Sequence, residues 1–264
     1  MKTITSAENS LVKGWRALQR AEGRREQGLF LAEGPHLVEE ALRAGATLQQ
    51  VLVRQDDAER YAALLTACEA AGAELIALPE RLIAAVADTR TPQGILATVE
   101  RRPLALAQAN LTGGRLAVLL ERVQDPGNLG TILRTALAVG ADFAVLCAGT
   151  ADPWGQKVVR ASQGAVLHLP LVVEEDAAAA VAALNAAGWH TACGHLAGVD
   201  FFARQPHART ALVIGNEGAG VSPAVADLCT GRYALPMPGP AESLNAAVAA
   251  GVMLYDLWRE QSSR

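Results

Sequence analysis

The stretch Asp125-Pro126-Gly127-Asn128-Leu129-Gly130-Thr131-Ile132-Leu133-Arg134-Thr135-Ala136 sets a polar, glycine-bearing turn between the apolar run 116–120 and a helical pattern. The apolar run reads as a buried strand and the whole as strand, loop and helix. Asn128 stands at the helix entrance, free to cap or to meet a ligand, and Arg134 follows six positions on, expected near the same end of the element. Two further segments repeat the theme. Leu212-Val213-Ile214-Gly215-Asn216-Glu217-Gly218-Ala219-Gly220-Val221-Ser222 runs from a strand into a loop whose three glycines let backbone amides and carbonyls approach a ligand closely. Its order is GxxGxG rather than GxGxxG, and no GxxxxGK[ST] occurs, so nucleotide phosphates are not its natural ligand. Leu235-Pro236-Met237-Pro238-Gly239-Pro240-Ala241-Glu242-Ser243-Leu244-Asn245 begins extended and proline-stiffened, which leaves backbone groups free of a ladder and able to read a ligand edge. Ser243 and Asn245 then open a last helix, 246–258, as candidate caps. That helix is apolar on nearly all sides and must be buried, inside the subunit or against a twin.

The chain of 264 residues is 51% hydrophobic, enough for one large or two modest domains. Its longest apolar stretches, such as 177–184, are interrupted too soon for a membrane span, and residues 1–8 hold no apolar signal core, so a cytoplasmic protein is expected. Cys68, Cys147, Cys193 and Cys229 form no CxxC pair and no disulfide framework. Cys193 and His195 lie two apart, but no second ligand pair accompanies them and no metal is expected. With a net charge of −4, any nucleic-acid surface has to be local. Residues 1–30 supply one, a net +3 from Lys2, Lys13, Arg16, Arg20, Arg24 and Arg25 against three acids. An RNA-facing arm built on Arg16, Arg20, Arg24 and Arg25 and a merely solvated helix over 10–22 both fit this pattern.

Along the chain, extended and helical patterns alternate: extended over 29–32, 50–54, 74–78 and 94–99, helical over 35–43, 57–71 and 80–87. This is α/β order in a small first domain, 1–105. A linker is expected over 106–114, where small residues and paired glycines gather, and a second domain over 115–264. There, 116–120, 143–147, 165–169, 189–193 and 211–214 are buried-strand candidates separated by helices, which implies an open parallel sheet.

The three segments together resemble the motifs of the SpoU/TrmH branch of the SPOUT RNA methyltransferases. Phe30-Leu31-Ala32-Glu33-Gly34 and Thr91-Pro92-Gln93-Gly94-Ile95-Leu96-Ala97 are similar to the substrate-binding domain that precedes many such catalytic domains, itself like ribosomal proteins that bind kinked RNA. The resemblance implies an α/β fold with a SPOUT-type parallel sheet, a deep trefoil knot near the C-terminus and a smaller ribosomal-protein-like RNA-binding domain in front. It implies an S-adenosylmethionine cofactor contacted by Gly215, Leu235 and Leu244, with Asn216, Gly218 and Met237 on the same loops, while the apolar last helix makes a homodimer the expectation. The reaction implied is methyl transfer to a ribose 2′-OH of RNA, ribosomal rather than transfer RNA by the N-terminal likeness. Asn128, Arg134, Glu217, Ser243 and Asn245 are the residues for orientation and for the poorly acidic hydroxyl. The family assigns the residue at Arg134 as the base, yet a guanidinium holds its proton above a pKa of about 12, so binding the target phosphate and the developing alkoxide is the other reading. A plain ion pair from Arg134 to Glu217 is a third. Lys157-Val158-Val159-Arg160-Ala161-Ser162 resembles the connecting segment, with Lys157 and Arg160 as phosphate contacts. Where the family shows Asn-Val-Ser-Val-Ala this chain has Asn245-Ala246-Ala247-Val248-Ala249, one hydroxyl fewer at the helix start. A catalytically silent RNA-binding protein would need a lesion in these motifs, and a nucleotide-dependent oxidoreductase would need the missing GxGxxG.

Overall fold

A computed structural model describes residues 1–262. In chain order its elements are β1 Lys2–Thr3, α1 Ser10–Ala17, α2 Ala21–Gln27, β2 Leu29–Glu33, α3 Pro35–Arg43, β3 Leu48–Arg54, α4 Ala62–Ala70, β4 Glu74–Leu78, α5 Glu80–Val86 and β5 Ile95–Glu100. They continue as β6 Pro103–Leu104, β7 Leu116–Leu120, α6 Pro126–Ala138, β8 Phe143–Cys147, α7 Gln156–Ala161, α8 Ala165–His168 and β9 Leu171–Glu174. The last are α9 Ala177–Ala186, β10 His190–Asp200, β11 Thr210–Ile214, α10 Pro223–Leu228, β12 Gly231–Ala234 and α11 Ala246–Ser262.

Two compact units result, Met1–Arg102 with Asp152–His168, and Pro103–Ala151 with Leu169–Arg264. The first is a five-stranded mixed sheet in the order β1-β4-β3-β5-β2, its core made by residues such as Trp15, Leu31, Leu52, Ile76 and Leu96. The single helix expected over 10–22 is two, because the chain turns at Leu18, Gln19 and Arg20. Gln19 Nε2 bonds the carbonyl of Val86 at 3.0 Å, and Gly23 packs so tightly that a Cβ there would stand 2.3 Å from the Ala17 carbonyl oxygen. The helix expected from 57 begins only at Ala62, since the Asp57 carboxylate takes Arg54 Nε at 2.6 Å instead of capping a helix.

The return of 152–168 to the first unit was not legible in the sequence. It is fastened by Arg24 on Asp152 (Nη2–Oδ2 2.7 Å), by Arg101 over the Trp154 ring at 4.2 Å and by Arg160 on Asp88 at 2.7 Å. Here the strand expected over 165–169 is instead the short helix α8. Gln163 and Gly164 adopt left-handed φ of 51° and 83°, which turns the chain into a new helical start, and Pro170 follows with no N–H for a ladder. A short apolar run fits either structure by pattern alone. The strand is β9, one residue past the proline.

The second unit is built on seven strands, all parallel, in the order β12-β10-β11-β7-β8-β9-β6. β7, β8 and β11 are buried at every position, as near-continuous apolar strands covered on both faces should be. The expected linker 106–114 belongs to this unit: Leu106, Ala109 and Leu111 pack on its core, and the Leu111 carbonyl accepts Trp189 Nε1 at 2.8 Å. α11 buries Ala247, Ala250, Met253, Leu254 and Leu257 but leaves Val248, Val252, Tyr255 and Trp258 exposed. Among the described residues no helix is long and apolar enough to cross a membrane.

Candidate active site

β7 and β11 are neighbours, in register from Thr210 opposite Leu116 to Ile214 opposite Leu120, so the loops that follow them open at the same sheet edge. After β7, the Asp125 carboxylate caps α6 by accepting the Asn128 amide at 2.8 Å, with Pro126 at the first helical position. The Asn128 side chain is thereby left for longer bonds. Its Nδ2 donates to Glu217 Oε1 at 3.1 Å and its Oδ1 accepts from Asn245 Nδ2 at 2.9 Å. Glu217 also receives the backbone amides of Gln124 at 3.2 Å and Asp125 at 2.9 Å. Asn245 Oδ1 meanwhile caps α11 through the amides of Ala247 at 2.9 Å and Val248 at 3.2 Å. One chain of side chains thus fastens the three sequence segments together.

The loop after β11 is closed by its own backbone. Asn216 and Gly220 exchange amide–carbonyl bonds of 3.0 and 2.8 Å, and Gly220 takes a φ of 68°. A Cβ on Gly215 would stand 2.2 Å from the Val221 nitrogen, so only glycine allows the crossing. Asn216 holds Arg122 O at 3.0 Å and accepts the amides of Gly218 and Ala219. Glu121, buried just past β7, takes the Ser222 amide at 2.8 Å and its hydroxyl at 2.6 Å. Burial pushes the Glu217 carboxyl up, but the amides of Asp125 and Gln124 with the Asn128 side chain outweigh it and hold the group below the usual carboxylate range.

Beside this clasp lies a cavity of about 500 Å³. Gly215, Asn216 and Gly218 line it from one loop and Leu235, Met237 and Leu244 from another, with Glu217 and Ser243 between them. Ser243 caps nothing in α11; that task falls to Asn245 alone. Asn128, Arg134 and Asn245 are not in the lining. Arg134 is the ninth residue of α6, two turns from its start rather than near the entrance, exposed and without an ion pair to Glu217. The far wall is one the sequence reading missed: Gly194, His195, Leu196 and Ala197, where β10 runs on past its expected end. The only mark there was the Cys193–His195 spacing, and among the described residues no three candidate metal ligands lie together.

In the first unit Arg16, Arg20, Arg25 and Lys157 are exposed, and Arg160 is paired with Asp88. Arg24 is a correction. It is 5% exposed, and its guanidinium is taken up by Asp152 and by the Leu18 carbonyl at 2.8 Å, which makes it a structural ion pair rather than a cation offered to RNA.

Residues 115–255, the span of both loops, the cavity and most of α11, match the SpoU rRNA Methylase family. The chain belongs to that family. Residues 9–97 match the MRM3-like substrate binding domain. The chain is 38% identical to the 23S rRNA (guanosine(2553)-2′-O)-methyltransferase RlmP of Bacillus subtilis over 97% of its own length and 99% of that protein. It is similar to the AdoMet-bound rRNA methyltransferase from Sinorhizobium meliloti, with a TM-score of 0.88 at 33% identity over 98% of this chain and 97% of that one. The SpoU methyltransferase AviRb from Streptomyces viridochromogenes in complex with AdoMet also has a TM-score of 0.88, at 31% identity over 97% and 99%. The fold is therefore the SPOUT-type parallel sheet with a smaller α/β unit before it.

Proposed function

We infer that this protein is an S-adenosylmethionine-dependent RNA methyltransferase that methylates a ribose 2′-OH of large-subunit ribosomal RNA. The observation that carries this reading is the Asn245–Asn128–Glu217 clasp, which ties the family's three motif loops together beside a cavity lined by the second and third of them. The cavity suits the cofactor chemically. Pro236, Pro238 and Pro240 keep the wall out of the sheet, so its carbonyls and amides are free for an adenine edge, while Met253, Leu235 and Leu244 offer apolar surface to the ring. When bound, the cofactor supplies an electrophilic methyl group on a sulfonium. The protein's part is to hold the ribose hydroxyl in line, which is a matter of orientation. Arg134 grips the phosphate beside the target and stabilises the alkoxide charge that develops as the hydroxyl proton passes to water. Glu217 and Asn128 do not reach for substrate; they hold the loop that starts α6. Ser243, which lines the cavity, is placed to contact cofactor or ribose.

Ribosomal RNA is favoured over transfer RNA because the ribosomal relatives match the whole chain, first unit included. A tRNA C/U34 2′-OH methylation structure matches at 29% identity over 57% of it. Relatives of similar coverage act on a guanosine and on a uridine, so the shared chemistry is the ribose and not the base. Such a substrate implies a cytoplasmic protein, whose cysteines persist as free thiols. The exposed Arg16, Arg20, Arg25 and Lys157 supply phosphate contacts. The stripe Val248, Val252, Tyr255 and Trp258 on α11, with Leu244 ahead of it, is an apolar face that a second copy would cover. Mapping ribose methylation in ribosomal RNA with and without the gene tests the reading, which fails if no 2′-O-methyl disappears. Replacing Tyr255 and Trp258 by glutamate is expected to give a folded monomer by light scattering.

A further inference from the structure

Arg122, the second residue past β7, has no part in the methyl-transfer reading, yet its backbone is held in a conformation that few side chains adopt. Its φ is 57°; of the described residues with positive φ, ten are glycines and only Arg122 and Gln163 are not. A bulky residue stays in the left-handed region only where its surroundings over-determine it. Here they do so from two sides. The Asn216 side chain, on the loop after β11, donates to the Arg122 carbonyl at 3.0 Å. The loop after β8 is tied to the same turn by the Thr150 hydroxyl on the Leu120 carbonyl and by the Ala151 amide on the Val123 carbonyl, both at 2.9 Å. Gln163 uses its side chain inside the fold, on the Arg160 carbonyl at 3.0 Å. The Arg122 guanidinium makes no hydrogen bond to a described residue. Its stem lies on Gly149, where a Cβ would come within 2.9 Å of Arg122 Cγ, and its buried Nε stands 3.8 Å from Glu121 Oε1, beyond hydrogen-bond reach. Glu121 already accepts the Ser222 amide and hydroxyl. The Arg122 side chain is still 42% exposed. Glycine would suit this backbone better, so what the turn gains from arginine is a cation presented to solvent.

We propose that Arg122 binds a backbone phosphate of the substrate RNA at the sheet edge where the methyl group is transferred. The inference rests on the RNA methyltransferase reading and adds to it a contact outside the cofactor cavity. β7, β8 and β11 are parallel neighbours, so the loops that follow them gather at one edge, the edge at which open parallel sheets bind their ligands. Arg122 stands there between the loops after β8 and β11, three residues before Asp125 caps α6. A guanidinium fork matches two phosphate oxygens, and with Nε covered and the stem on Gly149 its outer end is the part left to water. The pinned turn holds that fork in place before the ligand arrives, which lowers the ordering cost of binding. S-adenosylmethionine carries no phosphate, and Arg122 does not line the cavity, so the anion it meets belongs to the RNA.

The test compares full-length Arg122→Gly, Arg122→Ala and Arg122→Lys with the parent, using ribosomal RNA from cells that lack the gene. Glycine and alanine both remove the cation, but only glycine relieves the backbone. Arg122→Gly should therefore unfold at a higher urea midpoint than Arg122→Ala, a comparison that needs no ligand. Both should raise KM for the RNA about tenfold, the order of one charge-assisted hydrogen-bonded contact, with kcat within about twofold, because the contact is made before and during transfer alike. Filter binding over a range of salt should show the log–log slope flattened by about 0.7–0.9 in both. Arg122→Lys keeps the charge without the fork, so it should retain the parent's slope and recover only part of the affinity. Calorimetry with S-adenosylmethionine should give the parent's affinity throughout. Parent-like KM and salt slope in the glycine and alanine variants would overturn the proposal, and lowered stability beside them would make Arg122 a partner of Glu121 only. A glycine variant no more stable than the alanine one would remove the strain from which the proposal starts. A parent protein that binds the RNA but transfers no methyl counts against the methyltransferase reading and leaves the salt slopes to decide on Arg122.

Discussion

The loops of the second unit and the basic face of the first handle their polar side chains in opposite ways. Around the cavity, Asn128, Asn216, Glu217 and Asn245 give their hydrogen-bonding capacity to one another and to backbone, and Arg134 alone among the charged candidates is left without a partner among the described residues. In the first unit Arg16, Arg20 and Arg25 stand exposed without ion pairs to described residues, while Arg24, in the same charge cluster, is buried on Asp152. The difference follows from what each task needs. Transfer in line needs atoms fixed to fractions of an ångström, so polar groups there are spent on geometry. Phosphate affinity needs mobile cations in water, and a cation fixed to a carboxylate inside the fold no longer contributes to it.

The sharpest way to break this contrast is at the free arginine. Arg134→Ala should lower methyl transfer about a thousandfold, the order expected when one donor to a developing oxyanion is removed, with cofactor affinity unchanged because Arg134 is absent from the cavity lining. A radiolabel transfer assay and calorimetry separate the two quantities. Activity comparable to the parent would remove Arg134 from the mechanism.

Arg24→Ala should act on stability instead. Leaving Asp152 without its buried partner is expected to cost about 3 kcal/mol in denaturant unfolding, since the side chains are 6% and 23% exposed. RNA affinity, measured where the variant is folded, should stay as it was. A loss of RNA binding with stability intact would return Arg24 to the surface set.

Glu217→Gln tests the clasp. Two backbone amides are deprived of their carboxylate acceptor, and the expected cost is about 1 kcal/mol, at the low end for such a change because the carboxylate is exposed to water. The folded carboxyl lies below its ordinary value, so its contribution is complete above the unfolded pKa of about 4.3 and is lost as pH falls through the lower folded value. The stability gap between parent and Glu217→Gln should therefore be flat at neutral pH and close only in acid. A gap that instead closes on the alkaline side would exclude Glu217 as the source.

Much of this contrast could be read before the fold. β7, β8 and α3 have the bounds expected of them, because an unbroken apolar run between turn residues and a Gly-Pro helix start are local signals. The motif loops were legible for the same reason, and residues of the second and third line one cavity. Most of the misses are non-local. Nothing in Arg24 itself distinguishes it from Arg25 until Asp152 arrives from 128 positions away. The split between α1 and α2 depends on carbonyls at 85–87, and the cavity wall at 194–197 on how far β10 follows its neighbours. The helix at 165–168 was misread because four apolar-rich residues carry no period. Threading leaves no mark in residue order, so the knot rests on the family resemblance alone.

The smallest effect is also the one that probes the exposed side of the contrast. Replacing Arg16, Arg20 and Arg25 together by glutamine removes three cations that make no ion pair with the described residues of the fold, so the melting temperature should barely move. RNA affinity should fall, and the slope of its logarithm against the logarithm of salt should flatten by about 0.7–0.9 for each phosphate that is no longer neutralised. Lys157→Gln, on the returning segment, should remove at most one such increment. Cofactor affinity should not change in either variant, since none of these residues lines the cavity. An unaltered salt slope in the triple variant would show that exposure without a partner is not enough to bind a phosphate, and would confine RNA recognition to other surfaces.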